Sequence, residues 1–160
     1  MRIYFVIGCI LLFPVILFAQ GRKDIRTEGI TKQTVIKYEY KTGKEVKTID
    51  AEITYDARGN EIEIKEYDDY GKIIRHEKNT YNENNDKVAE ADYHASGRVK
   101  KVVKYTYNEQ KQKIAEAEYD GAGKLKKTMK YTWNGEFKTE RLTFDAAGKL
   151  TQKKIYTYSR

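Results

Sequence analysis

Aromatic residues recur every 26 residues along this 160-residue chain, and no other feature constrains the fold as strongly. Three series keep that step, or 25 in the last copy: Tyr55, Tyr81, Tyr107, Trp133 and Tyr158; Tyr67, Tyr93, Tyr119 and Phe144; and Tyr105, Tyr131 and Tyr156. Disorder does not produce such columns. The sequence therefore predicts an array of similar structural units stacked on one another.

Each unit is predicted to contain two strands. Residues 88–93 end in Tyr93, a short turn containing Gly97 follows, and residues 99–107 are rich in β-branched and aromatic side chains. This pattern is typical of a β-hairpin in which glycine adopts positive φ. We therefore predict an all-β protein: an antiparallel β-meander of about ten strands, built from 26-residue hairpin repeats in one open, twisted or curled sheet.

The second turn of each unit carries a different residue at the position expected to have positive φ. Gly59, Asn85 and Lys111 occupy it in successive copies. Glycine adopts this conformation freely, asparagine tolerates it, and lysine tolerates it less well. The turn that contains Lys111 is therefore expected to be the loosest.

Side chains alternate between the two faces of a strand, so the pairing across a hairpin predicts which residues share a face. A three-residue loop would pair Tyr93 with Val99, and then Ala91 with Lys101. This predicts an aromatic face holding the alanines and all three tyrosine series, and a charged face. The charged face would pair Asp92 with Lys100 and Glu118 with Lys126, and would carry Lys78, Lys104, Lys130 and a threonine column.

One column of cations falls on the predicted aromatic face, opposite small alanines. In the simpler interpretation, the aliphatic stems cover alanine and the charged heads reach solvent. In the sharper one, tyrosines and cations form a groove for an anionic polymer, such as an acidic glycan or an extended acidic peptide. The candidate ligand-binding residues are Arg75, Tyr93, Lys101, Tyr105, Tyr107, Tyr119, Lys127, Tyr131 and Trp133.

Composition excludes several other architectures. In residues 20–160, Leu, Ile, Val and Phe make up 22 of 141 residues, or 16%, and there is no cysteine or proline. This excludes a leucine-rich core, disulfides and thiolate metal sites. The net charge of this stretch is +6, because Arg2 lies outside it. An apolar surface must then be built from Tyr, Trp and Ala in a thin, sheet-dominated fold.

The N-terminus is expected to direct export. Residues 1–19 resemble a signal peptide with cleavage after Ala19, although a retained anchor and lipidation at Cys9 are alternatives. Residues 20–34 are predicted to be a linker and residues 35–160 the repeat domain. The mature chain would then be secreted, periplasmic or displayed on the cell surface, with no membrane span. Segment 22–34 is judged too polar to cover the aromatic face, which could instead curl, dimerise or bind a partner.

Catalysis has little support in the sequence. His76 and His94 stand where sister repeats carry other residues, and each carboxylate has a lysine partner in the predicted register. No catalytic residue, metal site or cofactor is therefore predicted, and the chain is expected not to be an enzyme. Nucleic-acid binding is disfavoured because most lysines are expected on the face opposite the tyrosines, whereas single-strand binders need both together. Carbohydrate or protein and peptide partners remain, as does homo-oligomerisation.

Three phrases carry a family resemblance: Tyr67-Asp-Asp-Tyr-Gly-Lys-Ile, Tyr119-Asp-Gly-Ala-Gly-Lys-Leu and Phe144-Asp-Ala-Ala-Gly-Lys-Leu. Over roughly residues 38–158 the chain resembles the YD repeat of RHS-type bacterial surface proteins, and its rhythm is also similar to YwqK-type and MORN repeats. The resemblance implies stacked β-hairpins, surface display and an association with carbohydrate binding. The array is too short for a shell around a toxin, so toxin delivery is not carried over. The predicted function is a non-enzymatic binding module, with a structural or self-associating element as the alternative.

Overall fold

A computed structural model describes residues 21–159, apart from the side chain of Lys41. The predicted signal peptide, with its cleavage after Ala19, therefore lies outside the described residues. The elements are α1 (Arg22–Thr27), β1 (Lys32–Lys41), β2 (Lys44–Tyr55), β3 (Glu61–Tyr67), β4 (Ile73–Tyr81), β5 (Lys87–Tyr93), β6 (Val99–Tyr107), β7 (Lys113–Asp120), β8 (Leu125–Asn134), β9 (Phe137–Asp145) and β10 (Leu150–Ile155).

The ten strands form one antiparallel sheet in which spatial order equals chain order. Each strand pairs with its neighbours in sequence, and β1 and β10 are the two edges of an open sheet. The predicted antiparallel β-meander is therefore confirmed. Short hairpin connections explain the order, since antiparallel neighbours can be joined by tight turns.

The turns follow the chemistry expected from the sequence. Between β5 and β6 the Gly97 amide donates to the His94 carbonyl at 2.8 Å, and φ of Gly97 is +80°. Tyr93 pairs with Val99 across this three-residue loop, as predicted. In the other class of turn Gly59, Asn85 and Lys111 have φ of 78°, 68° and 60°, so the predicted conformation is confirmed for all three.

A β-bulge follows the turn in every hairpin from β2–β3 to β9–β10. After Tyr93 pairs with Val99, the next pair is Asp92 with Lys101, so Lys100 is an extra residue. One extra residue reverses the side-chain alternation of everything beyond it. The predicted pairing of Ala91 with Lys101 is therefore wrong.

The bulges redistribute the predicted columns between two faces, which we name by their charged groups. The lysine face carries Lys78, Lys104, Lys130, the threonines Thr80, Thr106 and Thr132, and the aromatic residues Tyr93, Tyr119 and Phe144, with alanines between them. The carboxylate face carries Glu77, Glu90, Asp92, Glu116 and Glu118 together with Tyr105, Tyr107, Tyr131 and Trp133. The predicted division into one aromatic and one charged face is wrong, because each face has both.

The small core lies on the carboxylate face at the N-terminal end of the sheet. There Ile25 of helix α1 is only 2% exposed and packs against Ile53, Tyr55 and Ile64. The view that segment 22–34 is too polar to cover a face is wrong at this end, since one well-placed isoleucine is sufficient. The helix and the first residues of β1 also lie within the stretch predicted to be a linker.

Candidate ligand-binding faces of the sheet

The nine candidate binding residues do not form one surface. Tyr93 and Tyr119 lie on the lysine face. The other seven lie on the carboxylate face: Arg75, Lys101, Tyr105, Tyr107, Lys127, Tyr131 and Trp133. The predicted groove that combines these cations with Tyr93 and Tyr119 is therefore absent from the described residues.

The predicted cation column is neutralised by carboxylates. Lys101 Nζ lies 2.9 Å from Asp92 Oδ2, and Lys127 Nζ lies 2.9 Å from Glu118 Oε2. The hydrogen bond to Asp92 raises the pKa of Lys101. Lys101 and Lys127 were expected to lie opposite alanines. Asp92 and Glu118 were expected to pair with Lys100 and Lys126. Both pairings are wrong, because Lys100 and Lys126 are bulge residues. Committed to ion pairs, the column is poorly suited to a separate anionic ligand.

Arg75 is the first residue of the same column, and it is also paired with carboxylates. Its guanidinium donates to Glu66 Oε1 and to Glu77 Oε2, both at 2.6 Å. Glu77 is buried, so the pairing compensates a carboxylate that has lost its hydration. The two hydrogen bonds, that to Glu77 first, raise the pKa of Arg75. Removing Arg75 would leave a buried charge without its closest partner.

The first aromatic series joins the two strands of each hairpin unit at the ends farthest from the glycine turn of that unit. The Tyr107 hydroxyl donates to the Lys87 carbonyl at 2.9 Å, and the Trp133 indole N–H donates to the Lys113 carbonyl at 2.9 Å. Tyr81 makes the equivalent bond 20 residues back, at 3.3 Å. These polar tips are engaged with the backbone, which gives the column a structural role.

A second column of lysines on the carboxylate face was missed by sequence reasoning. The Lys113 ammonium lies 4.9 Å from the Tyr105 ring centroid and 5.5 Å from that of Tyr131. Lys87 and Lys138 repeat the arrangement one unit before and after. The 26- and 25-residue spacing of these lysines was the available signal. Alternating cations and rings stabilise this face internally.

Three carboxylates of this face come close enough to share a cation. Oxygen atoms of Glu77, Glu90 and Asp92 lie within 4.8 Å of one another. Each already has a basic partner, namely Arg75 for Glu77, Lys87 for Glu90 and Lys101 for Asp92. A metal ion there would have to displace these ion pairs.

The lysine face presents its cations differently. Lys78, Lys104 and Lys130 are exposed, and their ammonium groups lie 5.6, 5.4 and 5.7 Å from the ring centroids of Tyr93, Tyr119 and Phe144 respectively. Lys78 has a carboxylate, Glu63, at 3.6 Å. In the part of the chain that the structure describes, Lys104 and Lys130 have no salt bridge. These two ammonium groups lie over aromatic rings, with alanines on the neighbouring strands, so their charge is available to a ligand.

The first copy of this face is more elaborate. His76 stacks on Tyr93 with ring centroids 4.7 Å apart, and its Nε2 lies 2.7 Å from Glu63 Oε1. Burial alone would raise the pKa of Glu63, but the hydrogen bond from His76 and the charges of Lys65 and Lys78 lower it. In the next copies Val102 and Thr128 replace His76. Ala89 and Ala115 replace Glu63 opposite Lys104 and Lys130, so the lysine face is less acidic from β5 to β8.

Pairing defines the line along which the three lysines lie. Lys78 pairs with Ala91, whereas Lys104 pairs with Ala89 on the same strand and with Ala117 on the next. Each lysine is thus two strands across and two residues along from the one before. With strands about 4.8 Å apart and a rise of about 3.4 Å per residue, successive Cα atoms are roughly 12 Å apart. The line crosses the strands obliquely.

Comparisons with known proteins identify no family. No protein-family model and no curated protein sequence matches the chain. Among solved structures it is similar to a porin-like protein from Bacteroides uniformis ATCC 8492, with 12% identity and a TM-score of 0.40. That match covers 80% of this chain and 45% of the other, so this chain spans about half its length. At that TM-score the similarity supports no functional inference. Within residues 21–159, no helix is long and apolar enough to cross a membrane.

Proposed function

We propose that the protein is an exported, non-enzymatic binding module whose lysine face binds an acidic polysaccharide. The observation that carries the proposal is the exposed pair Lys104 and Lys130, whose ammonium groups have no carboxylate partner within residues 21–159. They stand on neighbouring repeats at equivalent positions, so a polymer with regularly spaced negative charges can engage both at once. Export, expected from residues 1–19, agrees with a ligand outside the cell.

The form of this surface favours a glycan over single-stranded nucleic acid. Lysines were expected opposite the tyrosines, but the structure places Lys104 over Tyr119 on one face, so that ground for disfavouring nucleic acid is removed. Bases bind such proteins by stacking on open rings. Here an ammonium group already covers the ring, while the exposed hydroxyls of Thr106 and Thr132 can hydrogen-bond sugar hydroxyls. The surface offers charge and hydrogen bonds more than stacking.

Charge reversal tests the proposal. We expect the Lys104→Glu/Lys130→Glu variant to bind polygalacturonate at least tenfold more weakly than the wild type, because two attractive contacts become repulsive. Lys154→Glu is the matched control, since Lys154 is equally exposed but lies on the carboxylate face. Wild-type binding should also weaken as salt screens the charges. Equal affinity of the double variant and the wild type, or tight binding of oligothymidylate alone, would contradict the proposal.

Self-association is the second candidate, favoured by the edge of the sheet. All six residues of β10 are exposed, including Leu150 and Ile155 at 48% and 59%, and within residues 21–159 β10 pairs only with β9. An unpaired edge is a template for another strand, which Lys153 and Lys154 would discourage. Sedimentation velocity over a concentration series distinguishes the candidates: growth with concentration supports edge pairing, and a constant monomer excludes it.

A further inference from the structure

Two neighbouring hairpin turns line a solvent-open cavity of about 530 Å³ that none of the binding columns uses. His94, Arg98 and Lys100 of the β5–β6 hairpin line one side, and Gly121 and Ala122 of the β7–β8 turn line the other. The turns touch at Gly121, where a Cβ atom would lie only 2.1 Å from the Val99 carbonyl oxygen. Glycine at this position therefore lets the two turns meet and form the cavity.

His94 departs from the repeat at the position where the cavity opens. In the sister turns an aspartate stands there; Asp120 Oδ1, for example, accepts hydrogen bonds from the Ala122 and Lys124 amides at 3.1 and 2.9 Å. An imidazole does not reproduce this two-amide cap, and the β5–β6 turn is held by its backbone bonds instead. The exchange removes a cap and a negative charge and leaves an imidazole at the cavity.

The other lining groups strengthen the positive character of this turn. Arg98 stands where the sister turns have Lys72, Lys124 and Lys149. Its guanidinium offers a planar fork of N–H donors, which suits a phosphate or sulfate group better than a lysine ammonium does. Lys100 is the bulge residue, so it lies outside the carboxylate pairing that neutralises Lys101. The groups lining the cavity are basic or apolar, and no carboxylate from residues 21–159 lines it.

We propose that His94, Arg98 and Lys100 form a binding site for a tetrahedral oxyanion group, a phosphate or sulfate ester. Three basic residues line one cavity, and among the described turns of this class theirs is the only one that lacks its capping aspartate. The site lies at the turn edge of the sheet, separate from the line of Lys78, Lys104 and Lys130. It does not depend on the proposed polysaccharide binding and can be tested without it.

The test follows the two imidazoles by NMR while inorganic phosphate is added at constant pH and ionic strength. We expect saturable shifts of the His94 signals, with His76 as the internal control because it is stacked on Tyr93 and bonded to Glu63. Sulfate should produce the same saturation and acetate should not. Equal, unsaturable shifts of both histidines, or an equal response to acetate, would overturn the site.

Two variants separate loss of the site from loss of the fold. His94→Asp restores the residue of the sister turns, so it should raise the melting temperature while phosphate binding, followed by isothermal titration, weakens at least tenfold. Arg98→Lys likewise restores the sister residue and should weaken binding several-fold through loss of the guanidinium fork. Unchanged phosphate affinity in both variants would refute the assignment, whatever their stability.

Discussion

Replacing Lys111 by glycine should stabilise the protein, although it removes a charged side chain. Lys111 is exposed and has φ of +60°, and its amide donates to the Asn108 carbonyl at 3.0 Å, a bond that glycine retains. A residue with a Cβ atom pays about 1–2 kcal/mol for the left-handed conformation. Glycine loses about 0.5–1 kcal/mol more backbone entropy on folding. The net gain in the free energy of unfolding is about 0.5–1 kcal/mol.

For a domain of this size, that gain corresponds to a rise in melting temperature of roughly 1–4 °C. Thermal and urea unfolding followed by circular dichroism at constant pH measure it. Lys111→Ala is the matched control, because it removes the same charge but keeps the unfavourable φ. Gly97→Ala should move in the opposite direction, since φ of Gly97 is +80° and no atom lies near an added Cβ. Equal stability of the glycine and alanine variants at position 111 would show that the positive φ of Lys111 does not cost stability.

Three further predictions concern packing and burial. Ile53→Ala should lower the free energy of unfolding by about 2–4 kcal/mol in urea denaturation, because Ile53 is only 2% exposed. Ile155→Ala is the control at an exposed position, and a smaller loss for Ile53→Ala than for this control would contradict the core assignment. Gly121→Ala should lower the melting temperature, since its Cβ would meet the Val99 carbonyl; an unchanged value would refute that contact. Burial, followed by nearby glutamates, raises the pKa of Tyr105 above 10.0, so the folded state holds the phenol proton more tightly than the unfolded state does. The contribution of Tyr105 to the free energy of unfolding is then fully present below pH 10 and falls as the pH rises further. Ultraviolet titration should show a phenol that ionises only on unfolding. Simultaneous ionisation of all tyrosines before unfolding would contradict this prediction.

The 26-residue columns were sufficient to predict the meander, since each turn and strand repeats with its own residue types. They could not predict the faces, because a bulge after every turn from β2–β3 to β9–β10 leaves the period unchanged while reversing the side-chain alternation after each of these turns. Charge complementarity could not decide the register, because the unbulged pairing also places Asp92 opposite Lys100 and Glu118 opposite Lys126. Only a bulged register places Lys101 opposite Asp92 and Lys127 opposite Glu118 in place of alanines.

Helix α1 was beyond prediction for a different reason. Its six residues have one apolar side chain, Ile25, so no amphipathic pattern distinguishes them from a linker. Tertiary packing against Ile53 and Ile64 stabilises the helix, in agreement with its short length. The sequence identified Lys104 and Lys130 as members of one column. Because the predicted register lacked the bulges, it placed them on the face opposite Tyr119 and Phe144.

In the proposed binding mode, the two faces differ in which cations are free to bind an anionic polymer. The most direct measurement is NMR of the protein with ¹³C-methylated lysines during titration with polygalacturonate, which reports each lysine separately. We predict saturable shifts at Lys104 and Lys130, with Lys101 and Lys127 unaffected behind their ion pairs with Asp92 and Glu118. Shifts concentrated at Lys101 and Lys127, or spread equally over both faces, would contradict binding through the lysine face.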